Sequence, residues 1–238
     1  MKRLIIFMLA ICLSIGIGIG IAFAGNQTTS STDASVIVDQ ARRYLHDPTT
    51  YGGTQQSIWS DTEMLQWCND GTLDVVSRSH CLEDVEAETL VESQTHYPLA
   101  DPFIVVKYVL YDDVKFLTEG SMAGFFESLG YASSQDPDAE GEPVYWTMWE
   151  NDIIVYPSPD ATAAGNDVDI YVIDRPATVA YNGDVLVPAQ YDKALVYYIV
   201  AQGWAKDTRM DLYKIYMAIY QQELDRARGE SEAPVEVE

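Results

Sequence analysis

The chain has 238 residues, 47% of them hydrophobic, with sixteen Tyr and five Trp, which is too apolar for a disordered protein and enough for one folded domain. Its formal charge of −23 excludes a nucleic-acid grip, because such binding rests on Lys and Arg neutralising a phosphate about every 1.7 Å of duplex. Three cysteines make no disulfide framework; Cys12 lies in an N-terminal apolar run, which leaves Cys68 and Cys81.

Met1-Lys2-Arg3, an uncharged apolar run over 4–21 and Ala22-Phe23-Ala24 before Gly25 have the three parts of a secretory signal. Residues 1–24 are therefore expected to be a signal-like or membrane-anchor segment, and any membrane contact runs through them. A flexible Gln/Thr/Ser spacer over 25–33 follows, in which Asn26-Gln27-Thr28 matches a glycosylation acceptor. Ala34, Ile37, Val38, Ala41, Tyr44 and Leu45 then recur at helical spacing until His46-Asp47-Pro48 stops the run. Ser60-Asp61-Thr62-Glu63 has the form of a capping box and opens a second helix. Its apolar face is Met64, Leu65, Cys68, Thr72, Val75 and Val76, so Cys68 is expected to be a buried structural thiol.

From residue 88 the pattern changes. β-Branched and aromatic runs at 89–91, 103–111, 114–117, 144–149, 153–156 and 169–173 predict strands. Short polar breaks such as Asp112-Asp113 and Glu150-Asn151-Asp152 suit antiparallel hairpins. No crossover helix interrupts the strands, so no parallel sheet is expected. After Pro188 the chain returns to helix, and 195–201 is apolar all round, which predicts burial on every side. Thr208-Arg209-Met210-Asp211 is a second capping-box candidate, for a last helix running to about residue 228. On that helix Leu212, Ile215, Tyr216 and Ile219 form one stripe, and Tyr213, Met217, Tyr220 and Leu224 an adjacent one. Together they cover an arc of roughly 200°, where a helix covering its own domain needs about 100°. The second stripe is therefore expected to face a neighbouring subunit. The fold class is α+β: an N-terminal helical pair, a central antiparallel β-sheet or sandwich and a C-terminal helical pair over 34–228, then an acidic disordered tail over 229–238.

No catalytic residue and no cofactor is expected. His46, His80 and His96 lie in separate segments without a partner at metal-ligand spacing, and there is no G-x-S-x-G, P-loop, H-E-x-x-H or G-x-G-x-x-G motif. The one weak metal candidate is an acidic loop, where Asp136, Asp138 and Glu140 with Gly141 and Glu142 mimic the first half of a calcium loop. Thr147 stands where a bidentate Glu should close it. Trp146 and Trp149 suit core packing or a subunit contact, or else a sugar-stacking platform.

Several pieces stand in a distinctive order: Leu45-His46-Asp47; Trp59-Ser60-Asp61 before Glu63-Met64-Leu65-Gln66-Trp67-Cys68-Asn69-Asp70; Tyr97-Pro98-Leu99; Gly141-Glu142-Pro143-Val144-Tyr145; Ile154-Val155-Tyr156-Pro157-Ser158-Pro159. Ile170-Tyr171-Val172 with Arg175-Pro176, then Leu186-Val187-Pro188 and a closing Asp225-Arg226-Ala227-Arg228 complete it. In this order, over 34–228, the chain resembles the head-to-tail adaptor (connector) proteins of tailed bacteriophages. The resemblance implies a structural virion protein and not an enzyme: a homo-oligomeric, typically dodecameric ring beneath the portal protein. It would contact a downstream neck or tail protein and extend the channel through which DNA passes without specific binding. By the same analogy Tyr213, Tyr216, Met217, Tyr220 and Leu224 are the portal-docking residues. Phage necks assemble in the host cytoplasm, whereas residues 1–24 point to export. The alternative expectation is an exported, monomeric β-sandwich binding module of the periplasm or cell surface.

Overall fold

The first helical run becomes α1, Ala34–Tyr44, with Ala34, Ile37, Val38, Ala41 and the following Leu45 buried, while Tyr44 is exposed. A computed structural model of the chain describes residues 32–47, 58–121 and 139–232. The signal-like segment, Asn26, Asp136, Asp138 and the last six residues lie outside them. At the end of α1, His46 takes a left-handed φ of 54°. Its N–H donates to the Arg43 carbonyl (3.3 Å) and that of Asp47 to the Arg42 carbonyl (3.0 Å), a Schellman turn made without glycine. The second helix, α2, spans Asp61–Ser79 and buries Met64, Cys68, Gly71, Thr72, Val75 and Val76. The Glu63 N–H donates to Ser60 Oγ at 3.3 Å, but only half of the capping box forms. The Glu63 carboxylate accepts from Lys206 instead of reaching back.

Eight strands follow: β1 Glu83–Thr89, β2 His96–Pro98, β3 Phe103–Tyr111, β4 Lys115–Phe116, β5 Thr118–Glu119, β6 Tyr145–Trp149, β7 Asp152–Tyr156 and β8 Asp167–Asp174. They form two four-stranded sheets, in the orders β1-β8-β3-β4 and β2-β7-β6-β5. The pairing is antiparallel, with one correction: β5 and β6 run parallel, Thr118 opposite Tyr145. Residues 120–144 separate these two strands, long enough for the return crossover that a parallel pair requires. The sheets pack face to face. Val106, Val109, Tyr111, Val168, Ile170 and Val172 from one meet Tyr97, Trp146, Ile153 and Val155 from the other. Trp146 is thus core and not a platform, while Trp149 is exposed. The first strand was expected at 89–91; it lies at Glu83–Thr89, where alternating carboxylates hide the β pattern.

A 3-10 turn, Ala189–Tyr191, leads into α3, Asp192–Lys206. Ala194, Leu195, Val196, Ile199, Val200 and Ala201 are buried as expected, but Tyr197 and Tyr198 are only half-buried, so burial is not complete all round. The last helix, α4, runs from Met210 to Glu232, four residues past the expected end. Thr208 does not cap it. With φ 59°, Thr208 closes α3: its N–H donates to the Ala205 carbonyl (3.1 Å) and that of Arg209 to the Trp204 carbonyl (2.9 Å). The four helices among the described residues share a second core, which also takes in Ile173 at the end of β8, so one strand reaches from the sandwich core into the helical one. Gly71 lets α3 approach α2: a Cβ there would lie 2.8 Å from Tyr198 Cδ1 and 3.3 Å from Leu195 Cδ2.

Candidate functional site

The least expected structural feature is a buried guanidinium. Arg42 is only 2% exposed; its Nη1 donates to Asp47 and to the Trp59 carbonyl (3.1 Å), and its Nη2 to Asp61 Oδ1 (2.6 Å). Asp47 in turn accepts from the Ile58 N–H at 3.2 Å. Two short pieces of the adaptor-like pattern, Leu45-His46-Asp47 and Trp59-Ser60-Asp61, therefore meet at one cation. The fork of donors that matches carboxylates bidentately is what Arg supplies and Lys does not.

On α4 the expected stripes trade places. Tyr220 and Leu224 are buried in the core of their own subunit, with Ala227, and Tyr216 and Met217 are partly buried against it. The Tyr220 hydroxyl donates to Asp74 of α2, and Tyr220 stacks edge-on to Tyr198 at 5.4 Å. Burial and this bond hold its pKa well above the usual tyrosine range. Of the expected docking residues, then, Tyr220 and Leu224 face inward, while Tyr213, Tyr216 and Met217 are half-buried at the rim. The outward face carries Lys214, Ile215 and Ala218, with Ile215 54% exposed. Beside it Tyr44, Tyr197 and Tyr216 form a ladder over α1, α3 and α4, with centroid steps of 5.5 and 6.3 Å. The hydrogen bond with Tyr44, then burial, push the Tyr197 hydroxyl up to about 12.

The outer face of the β1-β8-β3-β4 sheet was not foreseen. Val85 and Tyr108 both pair with Tyr171, and Leu110 pairs with Phe116, so these side chains share the face turned away from the sandwich core. Tyr108 stacks on Tyr171 (4.4 Å) and meets Phe116 edge-on (5.3 Å), and Phe116 is 62% exposed. Asp113, Asp167 and Asp169 crowd its margin. Burial, then the charge of Asp113, its hydrogen bond and the charge of Asp167, raise Asp169 above the usual carboxylate range.

The remaining expected residues are placed apart. Glu140 accepts from Ser93 Oγ at 2.6 Å and Glu142 pairs with Lys115 at 2.7 Å, while their loop partners Asp136 and Asp138 lie outside the described residues. Among the described residues no group of three His, Cys, Asp or Glu side chains could hold a metal ion. Cys68 and Cys81 are free and buried; burial, then Asp192, push the Cys68 thiol up to about 12. A cavity of about 330 Å³ lies where the sandwich meets the segment leading to α3, lined by Leu82, Asp101, Pro102, Asp174, Arg175 and Leu186. There burial, then Asp84, Asp101 and Glu86, hold Asp174 at about 6. Among the described residues no helix is long and apolar enough to cross a membrane.

One buried ion cluster, a helical core beside a sandwich core and apolar side chains left on two outer faces define an α+β protein with surfaces suited to contact. The chain belongs to the SU10 adaptor protein family, whose model matches residues 32–237. It is accordingly a phage adaptor, a structural virion component that works with other capsid or tail proteins. No curated protein matches the chain.

Proposed function

We propose that the chain is a head-to-tail adaptor that forms a closed ring beneath the portal and extends the DNA exit channel, assembled in the host cytoplasm. The observation that carries this reading is the apolar surface left on the helical bundle of an adaptor-family chain: Ile215 beside the Tyr44–Tyr197–Tyr216 ladder. Exposed patches of this kind mark protein contacts. Portal docking falls to the helical face, with Tyr216 at its centre and Tyr213 and Met217 beside it; Tyr220 and Leu224 act from inside by fixing the orientation of α4. The acidic balance suits a conduit. Residues 81–175 hold twenty Asp and Glu but only Lys107, Lys115 and Arg175 as bases, and such a wall repels the phosphates that pass it.

Native mass spectrometry of the full chain, alone and mixed with the portal protein of the same phage, tests the reading. A closed oligomer is expected in at least one condition. Only monomer in both would refute it. A filter-binding titration with duplex DNA should show no retention even at low salt, where a phosphate-gripping protein binds most tightly.

A further inference from the structure

Two faces of the chain are apolar, turned away from its own cores and unmatched in charge. One is the outer sheet face of Val85, Tyr108, Leu110, Phe116 and Tyr171. Its margin carries Asp113, Asp167 and Asp169, and among the described residues no cation pairs with any of the three. Thr89 donates to Asp167, but a hydroxyl leaves the charge in place. The other is the outward face of α4, where a surface helix ordinarily shows charges on every turn. Here Ile215, Ala218 and Gln222, with Ile219 at the edge, leave about three turns without a charge at the centre of the face, between Asp211 at one end and Arg226 at the other. At the margin of this face, Lys214 makes no ion pair among the described residues.

The charges of the chain are segregated in the same sense. The sandwich region is overwhelmingly acidic and most of the Lys and Arg lie in the helical segments. Sandwich against sandwich would therefore set like charges together, at a cost. Sandwich against helix sets an acid-rimmed aromatic face on the exposed Ile215 of α4, with the unpaired Lys214 next to it. Made once between each pair of neighbours, such a contact is heterologous, and head-to-tail contacts give a ring when the rotation between neighbours closes.

We propose that the outer face of the β1-β8-β3-β4 sheet receives α4 of the next copy of the chain, with Ile215 on the Tyr108–Tyr171–Phe116 cluster and Lys214 among Asp113, Asp167 and Asp169. The inference rests on the ring reading above and adds the surfaces that build the ring. It also separates two roles of α4: the Tyr216 flank for docking, the Ile215 face for the neighbour.

Sedimentation velocity and native mass spectrometry of the full chain over a concentration series test it, with near-UV circular dichroism to confirm folding. Lys214→Glu and Asp169→Lys should each raise the concentration for half-assembly about tenfold or more. Combined in one chain they should bring it back to within about threefold of the wild type, since the pair is then restored with opposite sense. Phe116→Ser and Ile215→Ser, both at exposed positions, should weaken assembly without altering the fold. A wild type that assembles while all four single variants assemble equally well overturns this proposal and leaves the ring reading standing. Variants that form normal rings but lose the portal protein give the face to the portal, and overturn it too. A wild type that assembles neither alone nor with the portal protein overturns both.

Discussion

Removing the carboxylate of Asp47 should be the most damaging single change on the helical bundle. Its side chain is 0% exposed and Arg42 is 2% exposed, so Asp47→Ala leaves a buried guanidinium with one carboxylate, Asp61, and the Trp59 carbonyl. Breaking a buried pair from one side costs about 3–5 kcal/mol, because the remaining charge keeps its desolvation penalty. For a domain of this size each kcal/mol moves the midpoint of thermal unfolding by about 2–4 °C, so a drop of roughly 6–20 °C is expected by calorimetry or circular dichroism. Asp61→Ala is the control. Asp61 contacts the same guanidinium but is 37% exposed, so water replaces much of what it supplies, and a loss nearer 1 kcal/mol is expected. If the two variants lose equal stability, or Asp47→Ala loses less than about 1 kcal/mol, burial is not what gives the cluster its weight and the reasoning fails.

Cys68, with its thiol pushed up to about 12, should resist alkylation at pH 8 in the folded protein, and mass spectrometry should find it labelled only after denaturant is added. Asp174 is held at about 6, above the 3.8 of a free Asp side chain. The folded state therefore binds the proton more tightly, and stability falls as pH rises from about 4 to about 6 and stays lower beyond. Asp174→Asn removes the repulsion, so urea unfolding should show the variant more stable than the wild type at pH 7 but not at pH 4, with the gap shrinking in high salt. Gly71→Ala gains helix propensity worth up to about 1 kcal/mol, but its Cβ would sit 2.8 Å from the Tyr198 ring. Overpacking of about 1–3 kcal/mol should win; a variant with a raised unfolding midpoint would refute that.

Legibility in the sequence followed the strength of the local signal. β3 and β7 were bounded within a residue because hydrophobic, β-branched residues fill them. β1 was misplaced because Glu83-Asp84-Val85-Glu86-Ala87-Glu88-Thr89 has poor strand propensity. Among the described residues it is an edge strand, bonded only to β8, and charges are how an edge avoids pairing with other chains. β2 is invisible to periodicity, because three residues ending in Pro98 leave no period to detect; only the family pattern around Tyr97-Pro98-Leu99 points to it. The stripes of α4 were exchanged because both are apolar, and periodicity alone cannot say which one meets the core; Asp74 and Tyr198, distant in sequence, decide for Tyr220. Arg42 stands beside exposed Arg43 and reads as solvent-facing, and only the meeting of Asp47 with Asp61 shows otherwise. The stop at His46 was legible, but Thr208 read as a cap of the next helix because left-handed positions that close a helix are usually glycine. The family pattern survived these errors, since it rests on the order of elements and not on their faces.

The Arg42 cluster also decides where this chain can change length. Arg42 and Asp47 precede residues 48–57, while Ile58, Trp59 and Asp61 follow them, and the hydrogen bonds among these five clamp both ends of that stretch together. Whatever joins the ends is thereby relieved of the task of orienting α1 against α2. Doubling the length of a connection so clamped costs only about 0.6 kcal/mol in closure entropy, much less than the clamp itself contributes. An epitope or fluorescent-peptide insertion between residues 48 and 57 should therefore leave the unfolding midpoint almost unchanged, and would give a handle for locating each copy in the particle.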